Sequence, residues 1–304
     1  MNTIRQGSIL TVSIPNEWAN ITVEELFLTI WKLPKKLLHR WRMDHLVKLD
    51  GKLIDWRVPM SSGSRLSVPF FQPGPFGADP VYPAPSILYE DDHMIIANKP
   101  AGMKTHPNSD NETNTLLNGV CYHASLSGDT LPVRHVHRLD EGTSGAVLFA
   151  KHEAAYAVFS RLLEEKTIYR TYFAVVDGAI KRNSGIINQP IGKDRHHPTR
   201  RRVSPTGQNA VTHYKRIAVQ DGRSLLECRL ETGRTHQIRV HLASLGHPIV
   251  GDTLYGGSGS NSFDHPLLHA VKLTVPNPFT NDCIATEAPV PIILKKLFPQ
   301  NYFN

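Results

Sequence analysis

The stretch "PFFQPGPFGADPVYPAP", residues 69–85, carries six prolines and two glycines. Proline fixes φ and removes a backbone donor, so neither a helix nor a central strand can run through it. The chain must therefore fold on either side of this seam. The seam predicts a small N-terminal module at residues 1–68, a linker at 69–85 and a large domain at 86–304, with the large domain keeping its fold if residues 1–68 are removed. At 304 residues the chain is long enough for both units and a sizeable core.

Local signals in the first module are readable. Thr22 with Glu25 forms a capping box, and Leu26 and Ile30 share one helical face. Pro34 is expected to close that helix, with a second helix carrying Leu37, Leu38 and Trp41 after it. "LVKLDGKLI" then places two apolar runs on either side of Asp50-Gly51, a pair that favours a tight hairpin turn. Lys35, Lys36, Arg40 and Arg42 give the module a basic face, which is equally compatible with a solvated helix surface.

Beyond the seam, "SILYEDDHMIIANKP" reads as strand, acidic turn, strand, and "GAVLFAK" as a buried strand. "HEAAYAVFSRLLEEK" is helical, with Ala155, Phe159 and Leu162 on one side. "TIYRTYFAVVDG" alternates as a strand with Tyr172, Ala174 and Val176 on one face, and "SLLECRLETG" is another strand. "RTHQIRVHLASLG" predicts a helix capped by Thr235, with Ile238, Leu242 and Leu245 buried. Strands and helices alternate without a strict βαβ rhythm, so the fold class is α+β.

The net charge of +7 favours a polyanionic partner without identifying one. Cys121, Cys228 and Cys283 form no CxxC pair, so neither a zinc knuckle nor a disulfide framework is indicated. The N-terminus has no secretory pattern, and no apolar run is long enough to span a bilayer. A soluble cytoplasmic protein without a membrane partner is expected.

Chemistry concentrates in four places. "RHVHRLDEGTSGAVLFAK", residues 134–151, sets Asp140 among basic side chains ahead of a buried strand. Neighbouring arginines favour an ionised carboxylate, a ready nucleophile or base. Gly142, Ser144 and Gly145 let the backbone turn tightly and leave room for a flat ligand. Taken alone, Asp140 also reads as a structural acid paired with an arginine. In "GRTHQIRVHLASLGHPIVGD", Arg234 precedes the helix while His236 and Arg239 lie three apart. That face can offer a guanidinium fork to a carboxylate or phosphate. His236, His241 and His247 match no metal-ligand spacing, so no metal is expected. Tyr172 could stack on a base or sit in the core. Lys193, Arg195, Arg200, Arg201 and Arg202 fall in a proline-broken segment read as a mobile loop suited to phosphate contact.

The order of these motifs is more specific than any one of them. "HRLDEGTSGAVLFAK", with "LYEDDHMIIANKPAGMKTHP", "YRTYFAVVDG", "LETGRTHQIRVHLASLGHPIVGDTLYG" and "LLHAVKLTVPNP", resembles the RluA/RluD family of pseudouridine synthases over roughly residues 86–295. The resemblance implies a long, curved, mostly antiparallel mixed sheet with RNA in a cleft across it. It implies an isomerase that needs no cofactor and no metal, breaking the N1–C1′ bond of uridine and joining C5 to C1′. By position, Asp140 would be the essential aspartate, Tyr172 the tyrosine on the base, and Arg239 the arginine paired with Asp140. Arg138 would fill the gap left by the extracted uridine. The first module looks like an S4-type RNA-binding domain, tilting the RNA partner towards ribosomal over transfer RNA, and no obligatory protein partner is indicated. Two other readings stand beside this one. A non-catalytic RNA-binding protein would not need Asp140, and a hydrolase using Asp140 would need a second acid or a metal that no motif supplies.

Overall fold

The computed structural model describes residues 2–109, 111–128, 130–259 and 263–303. In the N-terminal part, alternating Leu10 and Val12 point inward from β2 (Ile9–Ser13), which pairs with β1 (Thr3–Gln6). With β3 (Lys48–Leu49), β4 (Lys52–Leu53) and β5 (Arg65–Val68) they form a five-stranded sheet in the order β1-β2-β5-β3-β4. Asp50 and Gly51 take φ of 50° and 77°, the left-handed pair that closes the predicted β3–β4 hairpin.

Thr22 Oγ1 accepts from Glu25 N at 3.0 Å, as its capping position predicts. The helix that follows, α1 (Val23–Glu25), widens at once into a π-helical turn over Leu26–Ile30, where Trp31 N donates to Leu26 O. The wide turn brings Leu26, Phe27 and Trp31 to one buried cluster. Pro34 therefore does not close this helix. It stands in extended conformation as the N-cap of α2 (Lys35–Met43), which buries Leu37, Leu38 and Trp41 as expected.

The large sheet draws on β6 (Ser86–Glu90), β7 (Met94–Lys99), β8 (Arg134–His135), β9 (Ser144–Ala150) and β10 (Tyr169–Asp177). It continues with β11 (Ser184–Asn188), then, beyond the small β12 (Ile191–Lys193)–β13 (Arg201–Val203) hairpin, with β14 (Val211–Gln220), β15 (Arg223–Leu230), β16 (Leu268–Asn277) and β17 (Asp282–Glu287). Its path runs β11-β14-β15-β10-β16-β9-β7-β6. Every pair is antiparallel except β16 with β9, where His269 faces Ser144 and Ala270 faces Gly145. This long mixed sheet, flanked by α3 (Leu116–Ser125), α4 (Glu153–Glu164), α5 (Gln237–Ser244) and α6 (Ile292–Leu297), is the expected α+β architecture.

The parallel join explains one glycine. Gly145 has φ +116°, and a Cβ there would stand 2.2 Å from Ala270 O. A Cβ on Gly142 would meet Pro266 Cδ at 2.8 Å, and Ser144 Oγ bonds His269 Nδ1 at 2.8 Å. These small residues allow close packing of chain on chain.

The proline-rich seam is packed. Phe70 and Phe71 are buried in a core that continues from the first sheet into β7, β9, α4 and β16. Phe279 is its hub, with ring centroids 5.7 Å from Trp31, 5.1 Å from Phe70 and 4.5 Å from His93. Lys32–Glu165 and Arg40–Glu153, both at 2.5 Å, tie the first unit to the two ends of α4. Arg42 pairs with Glu24 and lies over Trp56, while Lys35 and Lys36 stay exposed. The expectation that the large domain keeps its fold without residues 1–68 runs against this shared core. We predict that a chain starting at residue 69 aggregates or loses its cooperative melt. Phe279→Ala should lower the unfolding free energy by about 3–5 kcal/mol in urea titration. A wild-type-like melt for the truncated chain would contradict this.

The same core holds a pH-sensitive pair. His152 Nδ1 accepts from Ala155 N at the start of α4, and its Nε2 lies 3.0 Å from His93 Nδ1. Burial pushes His93 down to about 4 and His152 well below its ordinary value. An unfolded chain binds these protons near pH 6.5 and the folded chain does not. The contribution of this pair to stability is therefore flat above about pH 7.5 and falls as pH drops from about 6.5 towards 4. The urea midpoint should decline across pH 6.5 to 5, before most carboxylates titrate. A constant midpoint there would refute this.

Candidate active site

Asp140 stands in the turn that leads into β9, where Thr143 N donates to Asp140 O at 3.0 Å. The backbone is clamped on both sides of it. Thr105 Oγ1 accepts from Leu139 N at 3.1 Å and donates to Leu139 O at 3.0 Å. Glu141 O accepts from Gly102 N and from Lys99 Nζ, each at 2.9 Å. Lys99 is fully buried at the end of β7 and gives its other protons to the carbonyls of Pro100 and Met103. Burial lowers its pKa to about 8, with Asp140 and Glu141 opposing. The "NKPAGMKTH" run thus acts as a bracket for the carboxylate that follows it in the chain.

Facing Asp140 is Arg239 on α5, a charge with only 10% of its side chain exposed. Its fork closes on Asp252, with Nε to Oδ2 at 2.7 Å and Nη2 to Oδ1 at 2.8 Å. Nη1 reaches Asp140 Oδ2 at 3.4 Å. Arg239 does meet Asp140, but its tighter partner is Asp252. Burial works against the guanidinium's charge, yet Asp252, aided by Asp140, holds its pKa above the ordinary value. Asp252 escapes a reading of the sequence, although it is the one acid in the glycine-flanked run "HPIVGDTLYG".

The turn before α5 departs from expectation. The helix starts at Gln237, not after Thr235, and its N-cap is His236 with φ 59°. Gln237 Oε1 accepts from Thr232 Oγ1 and Arg234 N, taking the role expected of a threonine cap. Leu245, expected to be buried, is 41% exposed. Tyr255 Oη accepts from Arg201 N at 2.9 Å and lies 2.8 Å from His236 Nδ1. With the hydroxyl proton directed to Nδ1, His236 presents Nε2–H towards Asp140 Oδ2, 3.9 Å away. Burial, opposed by Asp140, lowers the His236 pKa. His241 and His247 are elsewhere, bonded to Thr212 and Gln189 and to Asp177 respectively.

Two cavities meet at Asp140. The smaller, about 90 Å³, is lined by Asp140, Tyr172, Arg138, Arg170, Arg234 and Arg239, among others. The larger, about 500 Å³, shares Arg138, Asp140 and Arg239 and extends past His106 and His265. Tyr172 is buried on β10, and burial raises its phenol pKa, so it stays protonated. Arg138 is exposed at the junction of both cavities. Arg234 is also exposed and donates from Nε to Asn209 O. Arg170, which no sequence motif singles out, lines the smaller cavity with its Nε buried and unpartnered among the described residues.

The remaining basic residues do not converge on Asp140. Residues 194–200, with Arg195 and Arg200, are a loop as expected, held as the tip of the β12–β13 hairpin, in which Lys193 pairs in register with Arg201 and Ile191 packs with Val240 and Tyr255. Lys193, Arg195, Arg200 and Arg202 are exposed on it, whereas Arg201 turns its Nε inward. Of the hairpin tip, Thr199 lines the larger cavity.

The family model for RNA pseudouridylate synthase matches residues 93–244. The chain belongs to the RNA pseudouridylate synthase family. These enzymes are isomerases acting on RNA. A second model, the RluD ribosomal pseudouridine synthase N-terminal domain, matches residues 10–66. The chain is 47% identical over 278 residues to the uncharacterized RNA pseudouridine synthase YhcT of Bacillus subtilis, covering 91% of each. It is 33% identical to ribosomal large subunit pseudouridine synthase D of Zymomonas mobilis, covering 94% of this chain and 97% of that one. Among solved structures, human RNA pseudouridylate synthase domain containing 1 aligns with a TM-score of 0.56 at 25% identity, over 72% of this chain and 89% of that one.

The shared guanidinium makes a direct prediction. Asp252→Ala strips Arg239 of its tighter partner, so stability should fall by about 3–5 kcal/mol. Single-turnover pseudouridine formation should slow at least tenfold even at temperatures where the variant is folded. Unchanged turnover would show that the Asp252 fork does not matter to the carboxylate.

Proposed function

We propose that this chain converts specific uridines of structured ribosomal RNA to pseudouridine in the cytoplasm, acting without a protein partner and through Asp140. The single observation that carries this reading is a clamped, partly exposed carboxylate at the meeting of two cavities ringed by arginines. Uridine inside a stem or a stacked loop hides C1′, so the nucleotide has to be drawn out, at a few kcal/mol of unstacking. Arg138, exposed beside Asp140, is suited to enter the vacated space. The extracted base enters the smaller cavity against Tyr172, and the ribose lies at Asp140.

The reaction breaks N1–C1′, turns the base and forms C5–C1′; the C5 proton leaves and N1 gains one. Asp140 is the anionic group at C1′ or at a ribose proton, and Arg239 stabilises that charge. Arg234 and the exposed Lys193, Arg195, Arg200 and Arg202 supply phosphate contacts along the rim, with Arg201 anchoring the hairpin. Residues 86–304 form the catalytic unit, 69–85 the join and 1–68 an S4-like RNA-binding module packed against it. Ribosomal RNA is favoured because the matched relative and the N-terminal family model both carry ribosomal names.

A transcriptome-wide pseudouridine map of a deletion strain tests this. Sites in ribosomal RNA should vanish on deletion and return with wild type but not with Asp140→Asn. An unchanged map would overturn the reading, and losses confined to transfer RNA would overturn the substrate. In RNA binding, Arg200→Ala and Arg202→Ala should each flatten the slope of log K against log salt by about 0.7–0.9. An unaltered slope would remove the hairpin from the RNA contact.

A further inference from the structure

The smaller cavity has room for little more than a single base, whereas the larger one, about 500 Å³, falls in the range of sites that hold whole ligands. Both open at Asp140, where the ribose of the target must lie. The RNA chain continues from that ribose, so a nucleotide adjacent to the target is led into the larger cavity. Its lining offers an aromatic surface. His106 lines this cavity, and His135 packs behind it with ring centroids 4.3 Å apart and planes 10° from parallel. His106 Nδ1 is bonded to Pro107 O at 2.8 Å, which fixes the plane of its ring. Arg138 lines the same cavity, and burial, followed by the charges of His106 and Arg138, depresses the His135 pKa to about 4. The rear ring is thus uncharged at neutral pH, and the pair is a rigid, flat surface beside a cation.

We propose that His106, backed by His135, is a stacking platform for the base of the nucleotide next to the target uridine, a second RNA subsite adjoining the catalytic carboxylate. The proposal rests on the reading of Asp140 as the group at the ribose. Stacking is tolerant of base identity because every base has a π-face, so this subsite would add affinity and register rather than select a sequence. It would also hold the chain on one side of the extracted nucleotide while the base turns. A purely structural role for the ring pair would not distinguish RNAs that differ only by one flanking base.

The test is binding, so it does not depend on turnover. The probe is a labelled nine-nucleotide RNA, AAAAUAAAA, compared with two versions carrying an abasic residue immediately before or after the uridine. Wild type and Asp140→Asn should both bind one abasic version at least about fivefold more weakly than the intact probe. His106→Ala should lose that discrimination, and His106→Phe, which keeps a flat ring, should retain it. Equal binding of all three RNAs by wild type overturns the platform, with no variant needed. Discrimination that persists in His106→Ala, or is lost equally in His106→Phe, overturns the role of His106. The isomerase reading stands or falls separately, on the pseudouridine map, so failure of the platform and failure of that reading give different results.

Discussion

A guanidinium held between two carboxylates organises this active site. Arg239 is almost fully withdrawn from water, a position no isolated arginine could hold without loss of stability. Asp252 satisfies it through a two-bond fork and is itself buried, which leaves one edge of the guanidinium directed at Asp140. The arrangement gives the reactive acid a fixed positive neighbour without locking it into a fork of its own. Had Asp140 been the tight partner, its oxygens would be engaged before substrate arrived. Here it keeps one long contact and faces the cavity.

The rest of the fold brings that acid to that arginine across 99 residues of chain. The parallel join of β9 to β16 sets the exit of the Asp140 turn, and Gly145 permits it because no side chain fits against Ala270 O. Lys99 and Thr105 fix the residues on either side of Asp140 through backbone groups, independently of the carboxylate itself. On the opposite wall, the left-handed His236 starts α5 one turn away from Arg239, and Tyr255 connects His236 to the basic hairpin. Movement of the hairpin on RNA would therefore be felt at a ring 3.9 Å from Asp140.

Much of this is legible in the sequence. Apolar runs expose β6, β7, β9 and β15 and alternation exposes β10, the Asp50-Gly51 turn is local chemistry, and the ordered motifs point to the family and the large mixed sheet. Expectation and structure part where local rules meet tertiary demands. Pro34 reads as a helix stop, but the π-turn ends the helix first because Trp31 has to reach Phe279. Thr235 is a good cap by type, yet Gln237 orders that turn through its side chain. Asp252 and Arg170 lie within the family motifs, but nothing in their neighbours marks them out, since their importance lies in what the fold sets opposite them. The basic segment 191–203 looks loose by its proline and charges, and only cross-strand register with packing on α5 makes its ends a hairpin. The seam at 69–85 likewise marks a change in local structure, but Phe70 and Phe71 join the two sides in one core.

The central claim is that Asp140 reacts and does not merely hold RNA. Ribosomal RNA from a deletion strain, labelled with tritium at uridine C5, measures this directly, because C5 loses its hydrogen only when it bonds C1′. Wild-type protein should release tritium to water in proportion to the sites it restores. Asp140→Asn should bind the same RNA within about twofold of wild type, as expected for a change that removes charge but little volume, and release none. Release by Asp140→Asn at the wild-type rate would contradict the account, whatever its affinity.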